Sequence, residues 1–294
     1  MASSRVTPLL VIVGETASGK SALALELAQR LDGEIICADS WTVRREVNIG
    51  TAKPTAKEQT LVPHHLLDVA DPCEDFTAAV FKDLANAAIA DIFSRGKLPI
   101  MVGGTGLYID GVLFDYSFLE AGDRQEREVL NKLTIEELLA KIAQSGIELG
   151  DVDTRNRRRL IRLLETAGEQ PQRSELRPNS CIIGVQQDRE VLKQRISKRV
   201  EAMLAAGLEQ EVRQLSQRYG WGCEALKGVG YSQWQGYFLG SQSLDETRQK
   251  IIKATNDLAK RQRTWFKRNK SIHWFMTPVN TVNVVEYITT HLDT

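Results

Sequence analysis

The 294-residue sequence predicts an α/β fold, a parallel sheet wrapped by helices, on three observations. Short apolar runs alternate with stretches of helical periodicity, the pattern of strands joined by crossover helices. Two of the runs end in glycine-rich turns and a third ends in an aspartate. Ligands in such sheets sit beyond the carboxyl ends of the strands, where all three features fall.

The first strand is LLVIV, followed by the loop GETASGKS (Gly14 to Ser21) and an amphipathic stretch from Ser21 to Leu31. EIICA is the second strand, ending at Asp39. Thr77 to Arg95 has helical periodicity and stops at Gly96; Val80, Leu84, Ala87, Ala88 and Ile92 form its expected buried face. LPIMV is the third strand and runs into the turn GGTG. After Asp115 the texture changes. TIEELLAKIAQSG carries a capping box, Thr134 with Glu137, and a glycine stop. DTRNRRRLIRLLETAG is a basic helix, with Arg155, Arg159 and Arg162 expected on one face, Arg158 beside them, and Leu160, Ile161 and Leu164 buried. CIIGVQ is a strand expected to rejoin the sheet, Asp188 to Lys270 is mostly helical pattern, and SIHWF is a late strand. The expected division is a core of residues 1–114 and 178–294, with a helical C-terminal half, and a helical insertion of residues 115–177.

Hydrophobic residues make up 42% and charged residues 26%, and the formal net charge is zero. The chain therefore has no global field to announce a nucleic-acid partner, and any such surface must arise from local clustering. Cys37, Cys73, Cys181 and Cys223 are far apart, with no CxxC pair, and read as reduced thiols rather than a disulfide frame or zinc site. No stretch reaches the length of a membrane span, and LLVIV passes straight into a glycine loop instead of a cleavage site. A cytoplasmic protein is expected.

GETASGKS fits G-x-x-x-x-G-K-[ST], with Gly14, Gly19, Lys20 and Ser21 at the fixed positions. Backbone N–H groups of Glu15, Thr16, Ala17 and Ser18 and a helix N-terminus would cradle phosphate oxygens. Lys20 adds a full charge, and the Ser21 hydroxyl is a ligand for Mg2+. The fold class is thus P-loop NTPase-like. A hydrolase of that class also needs a metal-binding carboxylate and a residue that positions water. LPIMVGGTG carries no acid, so Asp39 is left as the carboxylate at a core strand end, suited to proton removal or to metal binding.

Further segments resemble one family. ADSWTVRREVNIGTAKP, PHHLLDVADPCEDF, RGKLPIMVGGTGLYI, GLEQEV, GYSQ, YFLG and AKRQRTWF follow the order of the corresponding segments in the tRNA dimethylallyltransferases (tRNA isopentenyltransferases), bacterial type. The resemblance spans about Leu9 to Phe275 and implies a reaction. Dimethylallyl diphosphate sits in the phosphate loop, and its five-carbon group moves to the exocyclic N6 amine of the adenosine 3′ of the anticodon. Diphosphate leaves. The resemblance implies Asp39 as the base, Thr105 at the reaction centre, and Lys20 on the leaving group. It places Ser40, Trp41 and Thr42 against the tRNA anticodon stem-loop, with Arg127, Arg158 and Arg159. It also gives Arg162 to both tRNA and diphosphate. A base inside an anticodon loop must leave its stack to be reached, so stacking and backbone contacts are expected. KRQRTWFKRNK supplies a second basic cluster, with Lys260 and Arg261 facing RNA and Arg263, Lys267, Arg268 and Lys270 around Trp265 and Phe266. His64 and His65 lack metal-ligand partners and read as structural, and Tyr108 and Trp234 as packing. A monomer is expected.

The sequence departs from the family pattern at Glu15 (usually proline), Thr42, Arg44, Asn256 and Leu258. An acid beside phosphates requires that Glu15 point away; the others fall on the acceptor-reading side. Three other readings share the motifs: an adenylate isopentenyltransferase acting on free nucleotide, a P-loop kinase or NTPase, and a non-catalytic RNA-binding relative.

Overall fold

The computed structural model describes residues 6–119, 122–150 and 152–293. The chain divides into two compact units, residues 1–114 with 176–294, and residues 115–175. The first unit begins with β1 (Leu9–Gly14), α1 (Lys20–Arg30), β2 (Gly33–Ala38), α2 (Ala56–Leu61), β3 (His64–His65), α3 (Ala78–Ser94), β4 (Leu98–Gly103) and α4 (Gly106–Leu113). The second unit holds α5 (Arg124–Leu130), α6 (Ile135–Gln144) and α7 (Arg157–Glu165). The chain then returns to the first unit with β5 (Ser180–Gln186), α8 (Arg189–Ala205), α9 (Leu208–Tyr219), α10 (Gln235–Phe238), α11 (Leu244–Phe266), β6 (His273–Met276) and α12 (Thr281–His291).

Six parallel strands form one sheet in the order β3-β2-β4-β1-β5-β6. CIIGVQ does rejoin the sheet beside β1, and the late strand pairs at its edge. The continuous burial of β1, β2 and β4 follows from helices on both faces, which remove the usual alternation. Leu9, Val11 and Val13 face a cluster with Phe81, Ile89 and Ile109, whereas Leu10 and Ile12 face one with Leu23, Leu27 and Ile288. The register aligns the strand ends: Val13 and Ala38 both pair with Gly103, and Gly14 pairs with Val185. The residues that follow β1, β2 and β4 therefore leave the sheet at one edge.

The buried face of α3 differs from the expected one. Phe81, Ala85, Ile89 and Ile92 are buried, while Val80 is 42% and Leu84 37% exposed. Ile92 belongs to both apolar stripes of this helix. Phe81 selects the second stripe by stacking on Tyr108 of α4, ring centroids 4.2 Å apart. Tyr108 and Trp234 are packing residues as read, both buried.

A third cluster joins α8, α9 and α11 around the buried Tyr231 and Trp234. Here the expectation of reduced thiols fails in part: Cys73 and Cys223, 150 residues apart in sequence, are joined in a disulfide, and Cys37 and Cys181 stay free and buried. The fold itself brings the pair together, since the N–H of Ala225 donates to the carbonyl of Pro72 at 2.9 Å. Among the described residues no helix is long and apolar enough to cross a membrane.

In the second unit the capping box of Thr134 and Glu137 forms as read, and Gly146 follows α6 with φ +68°. Leu138 and Ile142 pack on Leu160, Ile161 and Leu163; Leu163 rather than Leu164 completes the buried set. Asn156 caps α7, so Arg155 lies before the helix, paired with Asp153 at 3.2 Å, and not on its basic face. The cap won because an Asn side chain satisfies a free N–H of the first turn, which Arg155 has no means to do.

Candidate active site

The phosphate loop leaves β1 at Gly14 and enters α1 at Lys20, with Gly19 at φ +102°, a conformation that favours glycine. The first-turn N–H groups of α1 have no intrahelical partner and form the anion-binding end of the helix. One predicted member of the cradle is committed elsewhere. The Thr16 N–H donates to Oε1 of Gln262 on α11 at 2.8 Å. The Glu15 carboxylate pairs with Arg263 and does point away, as the sequence requires. The buried Ser18 Oγ has no hydrogen-bond partner among the described residues.

Lys20 Nζ donates to the Glu15 carbonyl at 3.2 Å. Burial, with Arg199 adding to it, lowers the ammonium to a pKa of about 8; Asp39 and Glu15 oppose that shift. A cation buried at this cost is suited to hold an anion.

A cleft of about 190 Å³ opens beside the loop, lined by Thr16, Lys20, Ser21, Asp39, Trp41, Thr42 and Arg199 among its polar residues. Its apolar wall comes from Ile196, Val200 and Met203 of α8 and Ile251 and Leu258 of α11. Cys37 lies in the same cleft, but burial pushes its thiol up to about 12, so it is no thiolate nucleophile.

Asp39 follows β2. Its Oδ1 accepts the N–H of Trp41 at 2.9 Å and, more weakly, that of Thr42 at 3.4 Å. One oxygen thus fixes the turn and leaves the other, Oδ2, for chemistry. Thr105 occupies the N-cap position of α4, yet its hydroxyl makes no capping bond. It accepts the Ser40 N–H at 3.0 Å instead. The turn GGTG is held from the other side by Gln262, whose Nε2 donates to the Gly104 carbonyl at 3.1 Å. A Cβ on Gly104 would stand 2.2 Å from that nitrogen and would push the Gln262 amide off this bond. The sheet edge and α11 therefore bring Lys20, Ser21, Asp39, Ser40, Trp41, Thr42 and Thr105 together.

Sequence reasoning missed Arg195 and Arg199. They lie one turn apart on α8 and reach the loop: Arg195 Nη1 donates to the Ser18 carbonyl at 3.3 Å and Arg199 Nη1 to the Thr16 hydroxyl at 3.5 Å, while Arg199 Nη2 also donates to the Thr51 carbonyl at 3.2 Å. Burial lowers the Arg199 pKa and Asp39 opposes it. The signal was the i, i+4 spacing, but charges lie all round this helix and hide a functional pair.

Other predicted residues have different duties. Arg44 is buried and donates to the carbonyls of Asp71, Pro72 and Glu74 at 3.2, 3.2 and 2.7 Å, so it braces a turn and does not read an acceptor. Asn256 donates to the Ile252 carbonyl of its own helix at 2.9 Å. In KRQRTWFKRNK, Phe266 is buried in the core, and Trp265 donates to Asp110 at 2.8 Å with Arg268 4.2 Å over its ring. These aromatics are therefore no stacking platform, because the helix needs them against β1 and α4. Lys260 and Arg261 stay exposed on α11. His64 bonds the Val62 carbonyl and His65 the Glu34 carboxylate, both at 2.7 Å, which are structural roles as read.

In the second unit, Arg127 and Arg162 converge on the fully buried carboxylate of Glu165 at 2.9 and 3.4 Å. Arg158 and Arg159 are exposed in the first turn of α7, which carries no acid. Positive charge at a helix N-terminus opposes the macrodipole, a local cost that an external polyanion relieves.

A phosphate cradle on a parallel sheet, with a carboxylate in the same cleft, a threonine bonded to the residue after it and no acid on β4, defines a P-loop protein built for group transfer. The model of the family described as IPP transferase matches residues 42–269. The tRNA dimethylallyltransferase of Bacillus cytotoxicus is 41% identical over 283 residues, covering 91% of this chain and 89% of the relative. That of Bacillus subtilis is 39% identical, with coverage of 92% and 91%. The crystal structure of the tRNA isopentenylpyrophosphate transferase of Bacillus halodurans superposes with a TM-score of 0.75 at 35% identity, covering 97% and 98% of the two chains. A eukaryotic dimethylallyltransferase acting on tRNA gives a TM-score of 0.75 at 25% identity, covering 92% of this chain and 74% of the other. The chain belongs to the IPP transferase family.

Proposed function

We propose that this enzyme transfers the dimethylallyl group of dimethylallyl diphosphate to the N6 amine of the adenosine 3′ of the anticodon in tRNA, releasing diphosphate. One observation carries the reading: a lysine-bearing phosphate loop and an aspartate line the same cleft, over an apolar wall.

Lys20, Arg199 and the first-turn amides of α1 hold the diphosphate. Negative charge on it grows as the carbon–oxygen bond breaks, so these donors act most strongly in the transition state. The wall from Ile196 to Met203, with Ile251 and Leu258, takes the five-carbon chain and keeps water from its cationic carbon. The amine forms the new carbon–nitrogen bond, and its proton passes to Asp39. Thr105, held on Ser40, is the residue we assign to the reaction centre between the two ends.

Ser21 and Asp39 offer one hydroxyl and one carboxylate in the cleft, and no cluster of three His, Cys, Asp or Glu exists among the described residues. That sparse oxygen set fits Mg2+, which keeps several waters and takes other ligands from substrate phosphates. Magnesium, when bound, adds charge stabilisation to the leaving group.

Arg158 and Arg159 on α7 and, separately, Lys260 and Arg261 on α11 are the residues we assign to the tRNA backbone; Arg127 and Arg162, tied to Glu165, brace α7 within the second unit. The enzyme works as a cytoplasmic monomer on this reading.

The test is incubation with dimethylallyl diphosphate, magnesium and either tRNA or AMP, followed by mass spectrometry of the nucleosides. Prenylated adenosine from tRNA alone is expected. Prenyl-AMP points to the free-nucleotide enzyme, and ATP turnover without transfer points to a kinase or NTPase. No product from either acceptor leaves a non-catalytic RNA-binding protein.

A further inference from the structure

Glu15 is the single acid within the phosphate loop, and it is only 3% exposed. Its backbone carbonyl holds Lys20, but its side chain turns to α11, where Oε1 pairs with Nε of Arg263. The other oxygen, Oε2, is buried with no hydrogen-bond partner among the described residues. Glu15 does not line the cleft, although Thr16 beside it does. The residue before Arg263, Gln262, bonds the Thr16 N–H and the Gly104 carbonyl. Two consecutive residues of α11 thus grip the loop, one through neutral hydrogen bonds and one through charge.

The charged contact has a consequence that the neutral one lacks. A carboxylate in the wall of an anion site repels the anion, and a half-satisfied buried carboxylate is costly once its cation is gone. We propose that Arg263 is a positioning residue for the diphosphate end of the donor. It neutralises Glu15 and keeps that carboxylate turned out of the cradle, so that Lys20 and the loop amides act on the ligand unopposed. The inference rests on the reading that this cradle takes a diphosphate.

The experiment is calorimetric titration of the full chain with inorganic pyrophosphate and magnesium. The proteins are wild type, Arg263→Met, Arg263→Lys and the Glu15→Gln/Arg263→Met double variant, with unliganded thermal unfolding measured in parallel. Arg263→Met is expected to weaken pyrophosphate by at least about tenfold, and Arg263→Lys to keep most of the affinity. The double variant should return to within about threefold of wild type, whatever its unfolding temperature. A packing role alone cannot produce that return. An Arg263→Met protein that binds like wild type, or a double variant no better than the single one, overturns the inference. Should Arg263→Met alone fail to fold, the double variant decides: near-native binding supports the inference, and a tenfold loss ends it. Failure of the wild type to bind pyrophosphate removes the diphosphate reading and this inference together; normal wild-type binding without a response to Arg263→Met removes this inference alone.

Discussion

The hydroxyl of Thr105 accepts the backbone N–H of Ser40 at 3.0 Å, across 65 residues of sequence. The contact ties the turn after β4 to the residue that follows Asp39. A side chain in the N-cap position normally closes its own helix, and this one is diverted to the reaction edge. Thr105→Ala should therefore lower kcat by about tenfold or more, while Thr105→Ser, which keeps the acceptor oxygen, recovers most of it. Steady-state kinetics with tRNA decide the matter. Equal rates for the Ala variant and wild type would remove Thr105 from the site.

Asp39 divides its carboxylate between structure and chemistry. Oδ1 accepts the Trp41 and Thr42 N–H groups, a task that an asparagine oxygen also performs. Asp39→Asn is thus expected to keep the turn and tRNA binding while losing about 10²- to 10⁴-fold in the transfer step. Single-turnover rates alongside a tRNA binding titration separate the two effects. A normal rate in Asp39→Asn contradicts its role as base.

Arg199 reaches the cleft from α8 and bonds the Thr51 carbonyl. Its removal takes one full positive charge from the diphosphate end. Arg199→Ala should raise the KM for dimethylallyl diphosphate by about tenfold and leave the KM for tRNA nearly unchanged. Arg199→Lys should recover part of the loss, since it restores charge without the planar fork. A tRNA-side defect instead would place Arg199 on the acceptor.

Glu34 on β2 is buried and pairs with Arg95 and His65. The Arg95 hydrogen bonds, helped by His65, hold its carboxyl at about 2, well below the ordinary 4.5. The sign follows from that depression. The carboxylate stabilises the fold fully above pH 4.5, and its contribution is lost as pH falls through about 2. Glu34→Gln should cost about 2–3 kcal/mol at pH 7, and the difference should shrink as the pH drops below 4.5. Urea unfolding at pH 7 and pH 3 measures it; a constant difference across that range contradicts the assignment.

The fold was legible because its signals are local. LLVIV, EIICA and LPIMV are short apolar runs beside glycine or aspartate, and burial on both sheet faces accounts for each. Lys20, Asp39 and Thr105 were legible because strand ends in a parallel sheet share an edge. Features that depend on tertiary contact were not. The two apolar stripes of α3 are separated only by the stacking of Phe81 on Tyr108. The Cys73–Cys223 bond and the Glu15–Arg263 pair join residues 150 and 248 apart. Arg199 is one charge among many on α8, and only the fold says that it reaches Thr16 of the phosphate loop.

The central claim is that the phosphate loop grips a leaving group, and stoichiometry tests it most directly. Pyrophosphate release and N6-modified adenosine are measured in the same reaction, with dimethylallyl diphosphate as the sole phosphate donor. One pyrophosphate is expected for each modified adenosine, and neither product without tRNA. Pyrophosphate or orthophosphate released steadily in the absence of tRNA, with no modified base when tRNA is present, would contradict it.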